Sequence, residues 1–474
     1  MPTRVNIPIA GQTLKDRTLR VNLQDSINLY PDVEGEGAES VFTLKSTPGL
    51  TLITNTAGNG PIRSDFHIFN SKAYFVSGPE LMSLDTNDVV VSVGTLNTNA
   101  GEWVDFAVGR TYIMLVDGTD GYTYDGTTFA TITDADFPSA PTHCTYLDGF
   151  FIVNNTNSDQ VNISTNENPT AWSALEFTTA DANPDQVLAL HSTYRDLYLI
   201  GEITTQVYYN SGNLDFPFDL YPQGVLEWGT AAPASVTKAK GIIFMLGQAD
   251  DGTVSPVMMQ GFSVVKLFNQ DQLDELQSMT TLSDAEGFAY HQNGNTFYQL
   301  TFPTENKTFV YHVEQNMVHK RQSFDIGRHR GRGHGVFNNR HLIGDYQAGQ
   351  IYYYDLTNYT ENGNTIERIR KTAITHSLHR RITIFELEIE FDPGIGLLSG
   401  QGSDPQARLS YSPDGGRTYS DPLFRSIGKV GDYQARAIFE KLGTQRQFNF
   451  DIRVSDPVPV TIIDAFANIK VRKT

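Results

Sequence analysis

From about residue 60 to residue 355 the chain repeats one loose unit. A polar pair is followed by four to six residues rich in β-branched and aromatic types, then a Gly or Asp turn and a second strand. Residues 68–78 (IFNSKAYFVSG) form one unit, and residues 104–117 with 121–129 form another. Residues 146–153 (YLDGFFIV), 196–201 (DLYLIG), 241–247 (GIIFMLG), 294–300 (GNTFYQL) and 339–344 (NRHLIG) repeat the form. Each is a hairpin signature, and the spacing of roughly 40–50 residues is the period of β-propeller blades. Radial closure leaves few free sheet edges, so a β-rich chain this long can stay dispersed. Six or seven units can be picked out, too degenerate to fix the blade number. One segment breaks the pattern: residues 271–279 (DQLDELQSM) place Leu273, Leu276 and Met279 three apart between acidic residues, which predicts a short amphipathic helix between blades.

After residue 365 the character changes. Residues 384–391 (IFELEIEF) alternate apolar and acidic, which predicts Ile384, Glu386, Glu388 and Glu390 on one strand face and Phe385, Leu387, Ile389 and Phe391 on the other. With further strands near 408–412, 434–441, 447–454 and 460–471, a small β-sandwich is expected. The polar turn 358–364 (NYTENGN) marks the boundary. The expected fold is all-β: residues 1–60 an N-terminal arm and the start of the β domain, 61–357 a β-propeller-like domain, and 358–474 a C-terminal β-sandwich.

Composition and charge narrow the function. The formal net charge of −19 argues against a general nucleic-acid coat. The charge is unevenly divided: residues 1–316 hold 13 Lys+Arg against 37 Asp+Glu, and residues 317–474 hold 22 against 17. A basic face is therefore expected only in the C-terminal part. Cys144 is the sole cysteine, which leaves no disulfide framework or thiolate metal site and reads as buried packing. No apolar run approaches a membrane span and no secretory leader is visible.

The chemical motifs are few. Ser412-Pro413-Asp414-Gly415-Gly416-Arg417-Thr418-Tyr419 fits the Asp-box pattern of sialidases, but it occurs once. Its structural reading is a turn built from Ser412, Asp414, Gly416, Thr418 and Tyr419, with the Asp capping the hairpin and the aromatic packed beneath. No arginine triad or nucleophile accompanies it, so no catalytic residue is assigned. Residues 117–121 (DGTDG) lack the ligand spacing of a calcium loop. No phosphate-cradling or nucleophile-elbow motif appears, and no cofactor or metal is expected. The densest basic stretch holds Lys320, Arg321, Arg328, Arg330, Arg332 and Arg340, with His319, His329, His334 and His341 among them. It reads as a solvated loop, a strip between subunits, or a surface facing DNA. A second patch collects Arg368, Arg370, Lys371, His379, Arg380 and Arg381.

Several weak motifs stand in one order along the chain: Asn28-Leu29-Tyr30-Pro31, Ser46-Thr47-Pro48-Gly49-Leu50, Asn210-Ser211-Gly212 with Phe216-Pro217-Phe218, Asp284-Ala285-Glu286-Gly287, Phe297–Pro303, Gly344-Asp345 with Gly349–Tyr352, residues 409–420, 428–433, 442–446 and 455–460. As a collinear set they resemble the packaged-DNA stabilisation proteins, the tail nozzle subunits of short-tailed bacteriophages. The chain departs from that pattern where Phe309 stands in place of an expected Trp after Phe302-Pro303, and where Val318-His319-Lys320-Arg321 stands in place of an expected Trp-His pair before the arginine. The resemblance implies a non-enzymatic virion protein, made in the host cytoplasm, that forms a homo-hexameric ring below the portal and its adaptor. Such a ring closes the DNA exit channel, stabilises the packaged DNA and conducts it during ejection. The implied partners are other copies of the chain, the head-to-tail adaptor, tail needle, fibre or spike proteins, and genomic DNA without sequence specificity. The rival reading is a tail protein that binds or cleaves glycans, resting on the single Asp box.

Overall fold

The computed structural model describes residues 2–472 apart from 19–21, 36–39, 55, 98–101, 181–182, 184, 214–215 and 379. Seven successive antiparallel sheets stand in chain order between residues 67 and 355. Their innermost strands are His67–Phe69, Asp105–Val108, Cys144–Leu147, Val187–Thr193, Thr237–Ala239, Glu286–Gln292 and Gly331–Phe337. Neighbouring innermost strands pack on one another from the first blade to the fourth and from the fifth to the seventh, while Lys238 Nζ to Ser192 O (2.7 Å) bridges the fourth and fifth and Phe66 N to His334 O (3.1 Å) bridges the seventh and first, so the sheets are the blades of a seven-bladed propeller. Its ring is closed by Gly49–Thr54, which pairs antiparallel with Ile351–Asp355 as the fourth strand of the seventh blade and carries the short strand Thr360–Glu361 on its other side. An N-terminal strand completing the last blade ties the two ends of the ring by backbone hydrogen bonds and leaves no unpaired seam.

The blade strands read as continuous apolar runs because both faces are covered by neighbouring blades. Ile113, Met114, Leu115 and Val116 are all fully buried, as are Phe151, Ile152 and Val153. The polar pairs between runs are hairpin turns with two left-handed residues, as at Asp148-Gly149 (φ 49° and 97°) and Asn293-Gly294 (φ 50° and 85°). That backbone matches the twist of paired strands and favours Asn, Asp and Gly. The helix forms at Gln270–Gln277, between the fifth and sixth blades, and opens with a reciprocal cap between Asn269 and Gln272. Leu276 and Met279 bury against the cluster that includes Phe244, Phe302 and Phe309.

The sandwich packs two sheets. One is ordered Leu29–Val33, Phe42–Ser46, Thr461–Val471, Ile382–Phe391, Ala437–Gln445, with Thr3–Asn6 also on Thr461–Val471. The other holds Arg368–Lys371, Gln447–Val454, Gln406–Ser412 and Leu423–Ser426. Their inner faces meet through Ile384, Leu387, Ile389, Phe439, Phe448, Phe450 and Ile462. One expectation is corrected here. Ile384 is buried and Phe385 is 40% exposed, the reverse of strict alternation. A β-bulge between Ile384 and Glu386, present against both neighbouring strands, shifts the register by one. A one-residue slip exchanges the faces.

The two parts share a sheet. Leu23–Ile27 lies between the sixth blade and Arg368–Lys371, pairing Ile27 with Lys320 on one side and with Ile369 on the other. The first sixty residues thus contribute strands to the sandwich, to the bridge and to the closing blade. Arg370 is wholly buried and donates to the carbonyls of Ile9 (2.6 Å), Gln12 and Asp25 and to Gln24 Oε1 (2.8 Å). Arg368, equally buried, donates to the carbonyls of Asp456 (3.0 Å) and Ile366. Backbone oxygens that no strand partner reaches are satisfied by these guanidiniums.

Candidate functional site

The basic stretch from Lys320 to Arg340 is built into the propeller's closure. Lys320 ends the outer strand of the sixth blade, and its Nζ lies 2.9 Å from both Asp25 and Glu275, joining the bridging strand to the helix. Arg321 has no exposed side-chain surface; it donates to Pro48 O at 2.9 Å, stacks over Tyr354 and faces Glu361 at 3.9 Å. Arg330 binds Asp345, a fully buried carboxylate, through Nε and Nη2 at 2.9 Å each. Arg332 reaches back to Glu286 on the sixth blade at 2.6 Å. Arg340 pairs with Asp88 of the first blade across the ring closure. Arg328 lies over the Tyr346 ring at 3.7 Å and has no carboxylate partner among the described residues.

Of the six cations expected in a solvated loop, a strip between subunits or a surface facing DNA, five lie against carboxylates of this chain. Spacing along the chain hid the partners, since Asp88 is 252 residues from Arg340. The histidines are drawn inward too. His329 Nδ1 accepts from Gly331 N at 3.0 Å, so the neutral ring carries its proton on Nε2, 3.5 Å from Glu361. Burial pulls its pKa down to about 4, and burial likewise drives His319 well below its usual range.

In the second patch, Arg368 and Arg370 are the internal staples described above, and burial lowers each to about 10. Arg380 and Arg381 are exposed. His379 lies outside the described residues.

The Asp-box segment forms a hairpin end between Gln406–Ser412 and Leu423–Ser426. Asp414 Oδ1 accepts from the backbone of Arg417 (3.0 Å) and Thr418 (2.9 Å) and from Ser412 Oγ (2.7 Å), while Oδ2 takes the Thr418 hydroxyl at 2.7 Å. These hydrogen bonds, the Thr418 hydroxyl's first, hold the carboxyl well below its usual range. Tyr419 donates to Asn449 Oδ1 at 2.9 Å, and the Asn449 amide donates to Leu23 O at 3.4 Å. Gly416, at φ +88°, sits where a Cβ would meet Leu23 Cδ2 at 2.1 Å. The Tyr419–Asn449 link and the close approach of Gly416 to Leu23 tie the turn to the bridging strand, while both Asp414 oxygens are used within the turn.

A third group of side chains had no motif to announce it. The inner strands enclose a cavity of about 220 Å³ lined by Asp65, His67, Asp105, His143, His191 and Lys238. Burial raises Asp65 and Asp105 to about 7, although His334 N donates to the first and Cys144 N to the second. Burial lowers His67 and His143 to about 4 and His191 to about 3. Lys238 donates to Ser192 O at 2.7 Å. The available signal was positional: each residue occupies the innermost strand of its unit or its approach, which only a correct unit alignment exposes. Among the described residues no group of three or more His, Cys, Asp or Glu is placed to hold a metal ion. No helix among them is long and apolar enough to cross a membrane.

Two family models cover this architecture end to end: the β-propeller of bacteriophage P22 Gp10 over residues 5–359, and the β-sandwich of the same protein over residues 367–470. The chain belongs to the bacteriophage P22 Gp10 family. It is a structural phage protein of the packaged-DNA stabilisation class. No curated protein matches it. Among solved structures it is similar to virginiamycin B lyase from Staphylococcus aureus (9% identity, TM-score 0.44, covering 65% of this chain and 98% of that one). It is also similar to the Neurospora crassa Pan2 WD40 domain (8% identity, TM-score 0.41, covering 66% and 95%) and to the N-terminal domain of Nup159 (12% identity, TM-score 0.40, covering 69% and 99%). At these scores the likenesses say nothing of function.

Proposed function

We propose that the chain is one subunit of a tail nozzle, a ring of identical copies that closes the DNA exit channel, holds the packaged genome and conducts it at ejection. The two working parts are the propeller over 61–357 and the sandwich over 358–474, with residues 1–60 as the strap between them. The observation that carries this reading is the way a chain of this family locks its two parts together. One sheet runs from the sixth blade through Leu23–Ile27 into the sandwich, and the buried Arg370 fastens the strap through the carbonyls of Ile9, Gln12 and Asp25. Such a joint suits a wall under load. It resists hinge motion because bending it breaks sheet hydrogen bonds and strands buried charge. Residues 61–357 hold 14 Lys+Arg against 34 Asp+Glu, so a lumen lined by them repels DNA and lets it slide. Assembly proceeds on the head-to-tail adaptor, with needle, fibre or spike proteins beyond, in the host cytoplasm, and a closed hexamer satisfies a repeated head-to-tail contact.

Binding and passage need no catalysed step. The oxygens of Asp414, the one residue with an enzyme-like setting, cap their own turn. A symmetry-resolved image of particles, with and without the chain, tests the reading. A ring of this chain at the channel exit, and genome loss without it, are expected. A chain located away from the channel, or DNA-tight particles without it, overturns it.

A further inference from the structure

Once the internal ion pairs are set aside, five of the cations that remain gather at one end of the sandwich. Ile382 stands opposite Gln445 on one side and Val471 on the other, and Thr383 stands opposite Lys470. Arg472 N donates to Arg381 O at 2.8 Å. Arg381, Arg446 and Arg472 therefore close one row at the end of three adjacent strands, with Lys470 and Arg380 next to it. All five are exposed, and none has a carboxylate partner among the described residues. Residues 2–6, 376–378, 380–385, 441–449 and 465–472, which converge there, contain no Asp or Glu. The turn closed by the Ser377–Arg380 bridge sets Leu378 at the same end, since His376 pairs with Gln447. Leu378 is 81% exposed, and Phe385 and Val471 are also exposed.

The propeller carries the complementary surface. Residues 111–194 contain no Lys or Arg and eleven Asp or Glu. They form most of the second and third blades and the start of the fourth. The third blade's outer strand, Asn168–Thr179, is a free edge that exposes Leu175 (84%) and Phe177. Asp134 lies against it, accepting from Trp172 N at 3.1 Å. Asp136 is exposed beside Asp134, and Glu176 stands between the two apolar residues.

We propose that the basic end of the sandwich docks on the acidic outer edge of the third blade of a second copy of the chain, with Leu378 set against Leu175 and Phe177. The inference rests on the ring reading and names the contact that builds the ring. Acidic propellers repel one another, so copies need a cationic element to approach, and an all-basic strand end meeting an all-acidic sector supplies attraction and register. The apolar side chains on both faces favour a protein occupant over a phosphate backbone, because a phosphate surface gives Leu378 nothing to bury against.

The test uses assembled particles carrying a photo-crosslinking residue at position 378. Illumination is expected to give covalent dimers of this chain whose joined peptides link 378 to residues 111–194. Dimers linked elsewhere, or crosslinks to DNA alone, overturn the inference while leaving a ring in place. A chain found in particles as isolated copies overturns the ring reading as well. Charge reversal adds a second readout. Arg381→Glu, Arg446→Glu and Arg472→Glu together should lower incorporation about tenfold or more while the purified chain keeps its thermal midpoint. Asp134→Lys, Asp136→Lys and Glu176→Lys in the same chain should restore it. Undiminished incorporation of the first variant, lack of rescue by the second, or complete particles that leak DNA would each reject the contact.

Discussion

Two groups of arginines differ in what surrounds them, not in how they look in the sequence. The group at 321–340 sits in strands and turns that converge on the seam of the propeller, and each partnered member lies against a carboxylate from another strand or blade. The group at 380–472 sits at the end of a sheet, and its members have no carboxylate partner among the described residues. Partner supply at the folded location decides whether a cation is mortar or surface.

The sharpest way to break this comparison is to remove one cation from each group. Arg330→Ser leaves the buried Asp345 carboxylate without its ion pair and should cost ~3–5 kcal/mol of stability in urea unfolding. Arg446→Ser should move the same midpoint by less than ~0.5 kcal/mol. Equal losses would mean that the two environments are not distinct.

Gly416→Ala probes a joint of a different kind. The added Cβ meets Leu23 and the backbone is left-handed, so a loss of ~1–3 kcal/mol is expected, confined to the sandwich and bridging strand by hydrogen exchange. Exchange unchanged along Leu23–Ile27 would detach the Asp-box turn from that role.

Charge at the propeller axis sharpens the comparison through pH. His67, His143 and His191 have pKa values depressed by burial, so their contribution is full above about 6.5 and is lost as pH falls towards 4. Asp65 and Asp105 are raised to about 7, so theirs is full below the ordinary carboxylate range and is lost as pH rises through 7. The facing cation is Lys238, and the histidines outnumber the two acids. The thermal midpoint should therefore fall between pH 6.5 and 4, less steeply in His191→Gln. A midpoint that rises over this interval would show that the carboxyls dominate.

The smallest effect is expected at the seam's outer rim. Arg340 and Asp88 are partly exposed, at 22% and 39%, and breaking their pair should cost no more than ~1 kcal/mol and fade in salt.

Much of the architecture was legible because it is local. Blade hairpins announce themselves through turn pairs such as Asp148-Gly149, and the turn at 412–419 carries its own capping groups. The amphipathic segment at 271–279 folded as a helix within one residue or two of its expected bounds. The family resemblance was legible for the same reason, since it lives in short ordered motifs.

What the sequence determined by itself was the kind of fold: a repeating hairpin chain that must close radially, followed by an alternating segment that must pair face to face. Only the tertiary structure decided the blade count of seven, the bulge that turns Phe385 outward, the strap shared by both parts, and which arginines remain free. The reason is physical. Hairpins depend on neighbours a few residues away, whereas the state of a charge depends on whichever group folding brings within a few ångströms. For Arg340 that group lies 252 residues away, and for Arg381 no carboxylate partner stands among the described residues.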